Sequence, residues 1–367
     1  MPAGIPPFSV ADLDLRHPPA ITEGLRDFMQ DAILGYTGPT DAYFDAVMGW
    51  MERRHGWRTA REWVLQSPGI VPAIFHAVCA YSQPGDGVIV QTPAYYPFYL
   101  AIERNNRTLV RNPLVLEGGH YRMDFDHLRK VAADPRNKLL ILCSPHNPTS
   151  RVWRRDELEE LAQIVLENDL ILLSDEIHFD LVMPGHRHTV MAALGDEIAA
   201  RTITCTAPSK TFNLAGLATS NIIIPDEDLR ARFQAELDRT GFLFLTAPGY
   251  RACEIAYTQC DAWLDGFLAL VAQNHELVKT FMARHLPAIG VFDLEGTYLQ
   301  WLDFRALGKS PEELKEINEQ QALVFFDEGG MFGPEGNGFE RLHIGTTTAA
   351  LQAALERLAA CYGGTSG

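Results

Sequence analysis

Six short β-rich runs punctuate the middle of this chain: EWVLQ (62–66), VIVQT (88–92), KLLILCS (138–144), LILLS (170–174), TITCT (202–206) and NIII (221–224). Several are apolar at nearly every position. A strand with one wet face alternates apolar and polar residues, so these runs read as strands covered on both faces. Between two of them lies RRDELEELAQIVLEN (154–168), where Leu158, Leu161, Ala162, Val165 and Leu166 recur at helical spacing. Asp156 with Glu159 reads as a capping box at its start. The rhythm predicts an open α/β fold with a mostly parallel sheet and right-handed crossovers.

The pattern changes after about residue 260. A long helical stretch over 261–286 precedes the strand-like runs GVFDLE, TYLQWLDF, ALVFF and ERLHIG, and TTAALQAALERLAACY reads as a closing helix. The expected organisation is a large α/β domain over 31–260 and a smaller α+β domain formed by 1–30 with 261–367.

Bulk chemistry narrows the partners. A net charge of -16 disfavours nucleic acid and anionic membranes, which need a basic face. No apolar run is long enough to cross a bilayer, and MPAGIPPFSVADLDL does not read as a secretory signal. The expectation is a cytoplasmic protein acting on a small molecule. The six cysteines form no CxxC pair and read as free, mostly buried thiols. His186 and His188 in PGHRH read as loop residues with no third metal ligand nearby in the sequence, so no metal site is expected.

Open α/β sheets bind ligands beyond the carboxyl ends of their strands. The residues that follow each apolar run are therefore the candidates. Asn147 follows KLLILC, Asp175 and His178 follow LILLS, and Lys210 follows TITCT. Tyr95 follows VIVQ, and SPGI after EWVLQ leads into a helix. Lys210 is the only charged side chain between Arg201 and Asp226, which suggests a neutral setting that keeps the amine from a salt bridge. An amine, a carboxylate, an amide, an aromatic ring and a helix N-terminus on one sheet edge match pyridoxal 5'-phosphate. The aldehyde needs a lysine, the ring nitrogen a carboxylate, the ring face an aromatic neighbour and the phosphate free backbone N–H groups.

The motifs SPHNPTSRVW, SDEIHFDLV and TAPSKTFNLAGL resemble those of the fold-type I pyridoxal-phosphate enzymes. More narrowly, with VADLDL, GYTGPTDAYFDAV, QTPAYYPFY, GTYLQWLDF and FGPEGNGFERLHIG, the chain is similar to the MalY/PatB cystathionine β-lyase-like C–S lyases within the class I/II aminotransferase superfamily. The resemblance implies that Lys210 bonds the cofactor aldehyde and Asp175 pairs with the ring nitrogen. It implies Asn147 at the phenolate oxygen with His178 nearby, and Tyr95 stacked on the ring. Gly69, Ile70 and Ser209 would hold the phosphate, Tyr36 would reach the site of a second subunit in a homodimer, and Arg341 would hold the substrate carboxylate. RLHIGTTTAAL stands in place of the family's RLNIACPR. Ala207 and Ala218 replace a serine and an arginine that bind phosphate in aspartate-aminotransferase-like enzymes. The implied activity is β-elimination from an L-cysteine-type amino acid. An aminotransferase is the alternative, and a cofactor-bearing regulatory protein is a third reading.

Overall fold

The computed structural model describes residues 5–363. Strands β1 (Val64–Ser67), β2 (Gly87–Thr92) and β3 (Thr108–Pro113) are followed by a small hairpin of β4 (Val115–Glu117) and β5 (His120–Arg122). Then come β6 (Asn137–Cys143), β7 (Ile171–Asp175), β8 (Thr202–Thr206) and β9 (Ser220–Ile223). Seven of these form one sheet in the order β1-β9-β8-β7-β6-β2-β3. Only β9 runs against its neighbours, so the sheet is mostly parallel, as expected.

The uniformly apolar strands are explained by two separate cores. Val88, Val90, Leu139, Ile141, Ile171 and Leu173 face one side, packed with Leu229 and Phe233 of the helix Glu227–Arg239. The intervening Ile89, Leu140, Leu142 and Leu172 face the other, packed with Leu158, Leu161 and Val165 of the helix Arg155–Glu167. Side chains alternate across a strand, so a sheet covered by helices on both faces needs an apolar residue at every position.

A second, antiparallel sheet comprises β10 (Gly290–Val291), β11 (Leu299–Asp303), β12 (Asp327–Glu328) and β13 (Phe339–His343), in the order β10-β11-β13-β12. The long helix Asp261–His285 and the last helix Thr348–Tyr362 pack together beside it.

Some local expectations fail for identifiable reasons. Ala322–Phe326 is buried in part but pairs with no strand. The Arg357 guanidinium donates to the carbonyls of Ala322 and Leu323 instead, at 2.8 and 3.2 Å, so that backbone is satisfied without a ladder. Of GVFDLE only Gly290–Val291 is paired. The helix near 154 starts one residue before Asp156, and Glu157 rather than Glu159 accepts the Arg154 N–H, at 2.9 Å. His186 and His188 lie in a loop, as expected, but His188 is buried there, with Nε2 2.8 Å from Oε2 of the buried Glu176.

The fully buried Leu172 is the second residue of β7, whose last residue is Asp175. Leu172→Ala is expected to cost about 2–5 kcal/mol of unfolding free energy, measured by urea denaturation.

Candidate functional site

The carboxyl edge of the main sheet is set by register. Cys143, Asp175 and Cys205 are Cα partners across β6, β7 and β8. The segments leaving these strands carry Asn147, His178 and Lys210, and all three line one cavity of about 290 Å³ with Asp175, Tyr95 and Arg341. Gly69, Ile70 and Ser209 line it as well. Of the residues proposed from sequence, only Tyr36 is elsewhere. It lies 97% exposed between the helices Pro19–Asp31 and Asp41–His55.

Lys210 sits in the single turn Pro208–Thr211 just after β8. Its Nζ donates to Ala11 O at 2.8 Å and lies 3.6 Å from Asp12 Oδ1. The neutral setting inferred from the neighbouring sequence is therefore incorrect in space. An aspartate distant in sequence reaches the amine, and Arg341 and Asp175 also act on it. Burial nevertheless dominates and moves the Lys210 amine below its ordinary value, against the opposing pull of Asp12.

Asp175 is buried at the end of β7. One carboxylate oxygen accepts the Ile177 N–H at 3.2 Å. Burial pushes its carboxyl up to about 7, and the Ile177 bond only partly offsets this. His178 is buried too, and its Nδ1 has no hydrogen-bond partner among the described residues. Burial, then the charges of Lys210 and Arg341, hold it neutral, down to about 3. Tyr95 is half-buried, its hydroxyl pushed up to about 12 mainly by burial.

Arg341 comes from β13 and is buried. It donates to Asn147 Oδ1 at 2.7 Å, to Ser9 O at 3.0 Å and to the Asp327 carboxylate. Asp327 is the Cα partner of Arg341 across β12 and β13, which puts both side chains on one face of the sheet. The Arg341 Nε is buried and has no partner among the described residues. Sequence reasoning missed Asp327, although it follows the apolar run ALVFF just as the other candidates follow theirs. It also missed Ala11 and Asp12 as neighbours of Lys210, despite singling out VADLDL.

At the other end of the cavity the helix Ile70–Tyr81 begins. Its first N–H groups have no partner within the helix, and Pro72 contributes none. Gly69 precedes it at φ +118°, a conformation that side chains disfavour. Ala218, at φ +48°, also lines the cavity, where an arginine would have brought a positive charge.

The donor set fits pyridoxal 5'-phosphate. A helix start offers free N–H groups to an anion, a lysine amine lies in the cavity, and the buried Asp175 carboxylate has no cation bonded to it among the described residues. His178 Nδ1 and Arg341 Nε are polar atoms still without partners.

Residues 7–358 match the family model described as "Aminotransferase class I and II". The chain is 44% identical to cystathionine β-lyase PatB of Bacillus subtilis, covering 96% of this chain and 92% of that protein. It is 30% identical to protein MalY of Escherichia coli, covering 95% and 90%. Its structure is similar to that of cystalysin from Treponema denticola, described as containing pyridoxal 5'-phosphate. The TM-score is 0.97 at 46% identity, over 98% of this chain and 91% of that one. With the family model spanning most of its length and these relatives matching over nine-tenths or more of each chain, the chain belongs to the class I and II aminotransferase family, on the side of the PatB and MalY proteins.

Proposed function

We propose that this protein is a pyridoxal-phosphate-dependent C–S β-lyase, converting an L-cysteine-type substrate and water to a thiol, pyruvate and ammonia. The observation that carries this reading is the meeting of Lys210, Asp175, Asn147 and Arg341 in one cavity that ends on a free helix N-terminus. The relatives named cystathionine β-lyase favour elimination over transamination as the outcome.

When bound, pyridoxal 5'-phosphate supplies an aldehyde that captures the substrate amine and a ring that stores the electron pair left when the Cα–H bond breaks. The chain's residues do the rest. Lys210 would hold the cofactor, and its amine is the group placed to take the Cα proton at Nζ. Asp175 would pair with the ring nitrogen and keep a proton there. Asn147, its Oδ1 already taken by Arg341, has its amide N–H groups left to donate to the phenolate oxygen. Tyr95 would stack on the ring with His178 close by, while Gly69, Ile70 and Ser209 would hold the phosphate. Arg341 is a planar fork suited to the substrate carboxylate, with its unpartnered Nε still to be satisfied.

The working unit in this reading is a homodimer, with Tyr36 completing the site of a second copy. Supporting this, Ile33, Leu34 and Tyr36 form an exposed apolar run, and the Phe244 ring lies against Gly38. Phe244 and Leu243 are exposed as well. Residues 31–260 form the cofactor-binding domain, and 1–30 with 261–367 the smaller one, in keeping with the spans of the two sheets. Among the described residues no helix is long and apolar enough to cross a membrane. We place the enzyme in the cytoplasm, acting on a free amino acid.

Lys210→Ala should abolish pyruvate release from cystathionine and related β-substituted amino acids, with an unchanged circular dichroism spectrum. Substantial residual turnover would sink the assignment of Lys210. In the wild type, pyruvate should form without any α-keto acid acceptor, and a strict acceptor requirement would instead identify an aminotransferase.

The raised Asp175 carboxyl gives a second test. Its ordinary value is 3.8, and the fold moves it to about 7. Between these pH values the folded state holds a proton that the unfolded chain has lost. The group therefore contributes most to stability at low pH, and that contribution is lost as pH rises through about 7. Without cofactor, Asp175→Asn should be more stable than the wild type at about pH 8, on the order of a few kcal/mol, and should converge with it near pH 4. Urea denaturation at both pH values measures this.

A further inference from the structure

The mechanism above makes no use of the N-terminal strap, residues 8–15, yet the strap is built into the site. Phe8 O accepts the His343 N–H at 2.8 Å, and Ser9 O accepts from Arg341 at 3.0 Å. The Asn213 amide clamps the next stretch, accepting from Leu13 N at 3.1 Å and donating to Leu13 O and Leu15 O at 3.0 and 3.1 Å. Phe8 and Leu13 are themselves buried in the core. Between these anchors the Ala11 carbonyl accepts two hydrogen bonds at 2.8 Å each, one from Lys210 Nζ and one from Tyr298 Oη. Tyr298 is fully buried, with its ring edge-on to both His178 and His343. The carbonyl is thus a fixed point, held by the backbone on both sides and by a tyrosine that cannot move away.

We propose that the strap is the dock for the Lys210 amine whenever the lysine is not bonded to the cofactor: the Ala11 carbonyl positions the amine, and the Asp12 carboxylate decides how readily it holds a proton there. The proposal rests on the base role of Lys210 given above. A neutral amine bonded to Ala11 through one N–H keeps its lone pair free to accept a proton. The ammonium that results gains the attraction of Asp12, whose Oδ1 lies 3.6 Å away. Other groups face Lys210 from each element around it. Arg341 and His343 come from β13, Asp175 and His178 from the end of β7, and Tyr298 shares its acceptor. Among the described residues only Asp12 puts a carboxylate within 4.0 Å of Nζ. Asp12 is a positioning residue in this scheme. Its side chain is 58% exposed, so its effect is moderated by solvent.

The test reads the amine directly. The full-length chain, prepared without cofactor, is labelled competitively with acetic anhydride at a series of pH values. Acetylation of the Lys210 peptide is then quantified by mass spectrometry. Asp12→Asn should move the Lys210 half-titration point down by about 0.5–1 pH unit, and Asp12→Glu should restore most of the shift. In the holoenzyme the acid limb of kcat against pH should move in the same direction, with KM at the plateau unchanged. An unmoved Lys210 titration in folded Asp12→Asn would overturn the proposal, as would a uniform loss of kcat at every pH with no shift of the limb. Should Asp12→Asn fail to fold, Asp12→Ser and Asp12→Ala report the same titration. Because labelling needs no substrate, it decides the question even if the enzyme proves to be an aminotransferase.

Discussion

One buried guanidinium ties together four parts of the chain. Arg341 on β13 binds Asn147 from the main sheet, Asp327 from the neighbouring strand and Ser9 from the N-terminal strap. A guanidinium taken out of water costs several kcal/mol unless its donors are met. Burial does move it below its ordinary value, and Asp327 is the leading opposing influence. Its three acceptors offset that cost, so one charge demanding acceptors draws three distant segments together beside the cavity. The Arg341 Nε is buried and has no partner among the described residues.

Burial acts on the other groups in the same direction, toward the uncharged form. It raises Asp175, lowers Lys210 and lowers His178. In the proposed reading a protonated ring nitrogen would restore charge to Asp175 by pairing with it, and a neutral Lys210 amine is the form that bonds an aldehyde or takes a proton. Desolvation thus prepares the cavity for a ligand that carries the complementary charges. Asp12, at the solvent edge, works against the neutral amine more strongly than Asp175 does, and its reach is limited by exposure.

Much of the site could be read from local sequence because strand ends are local. Asp175, His178, Asn147 and Lys210 each follow an apolar run, and parallel register then brings those run ends together. The same logic applied to ALVFF would have found Asp327. It was obscured because the run itself is not a strand: Arg357, more than thirty residues away, satisfies its carbonyls. Asp12 and the Ala11 carbonyl could not be found this way. They approach Lys210 across about two hundred positions of sequence, and a backbone carbonyl leaves no mark in residue identity.

Sequence alone marked six of the seven main-sheet strands, all but β3, and the helix Arg155–Glu167 that covers them on one face, since an apolar residue at every buried position and a helical apolar period are local requirements. It also determined which side chains stand at the carboxyl edge, because chain order places them one after each strand. Tertiary structure decided the surroundings of those side chains: the strap over Lys210, the aspartate opposite Arg341 and the burial of His188 against Glu176. The physical reason is that protonation and hydrogen bonding depend on distance through space and on exclusion of water, and both are properties of the folded chain rather than of neighbouring letters.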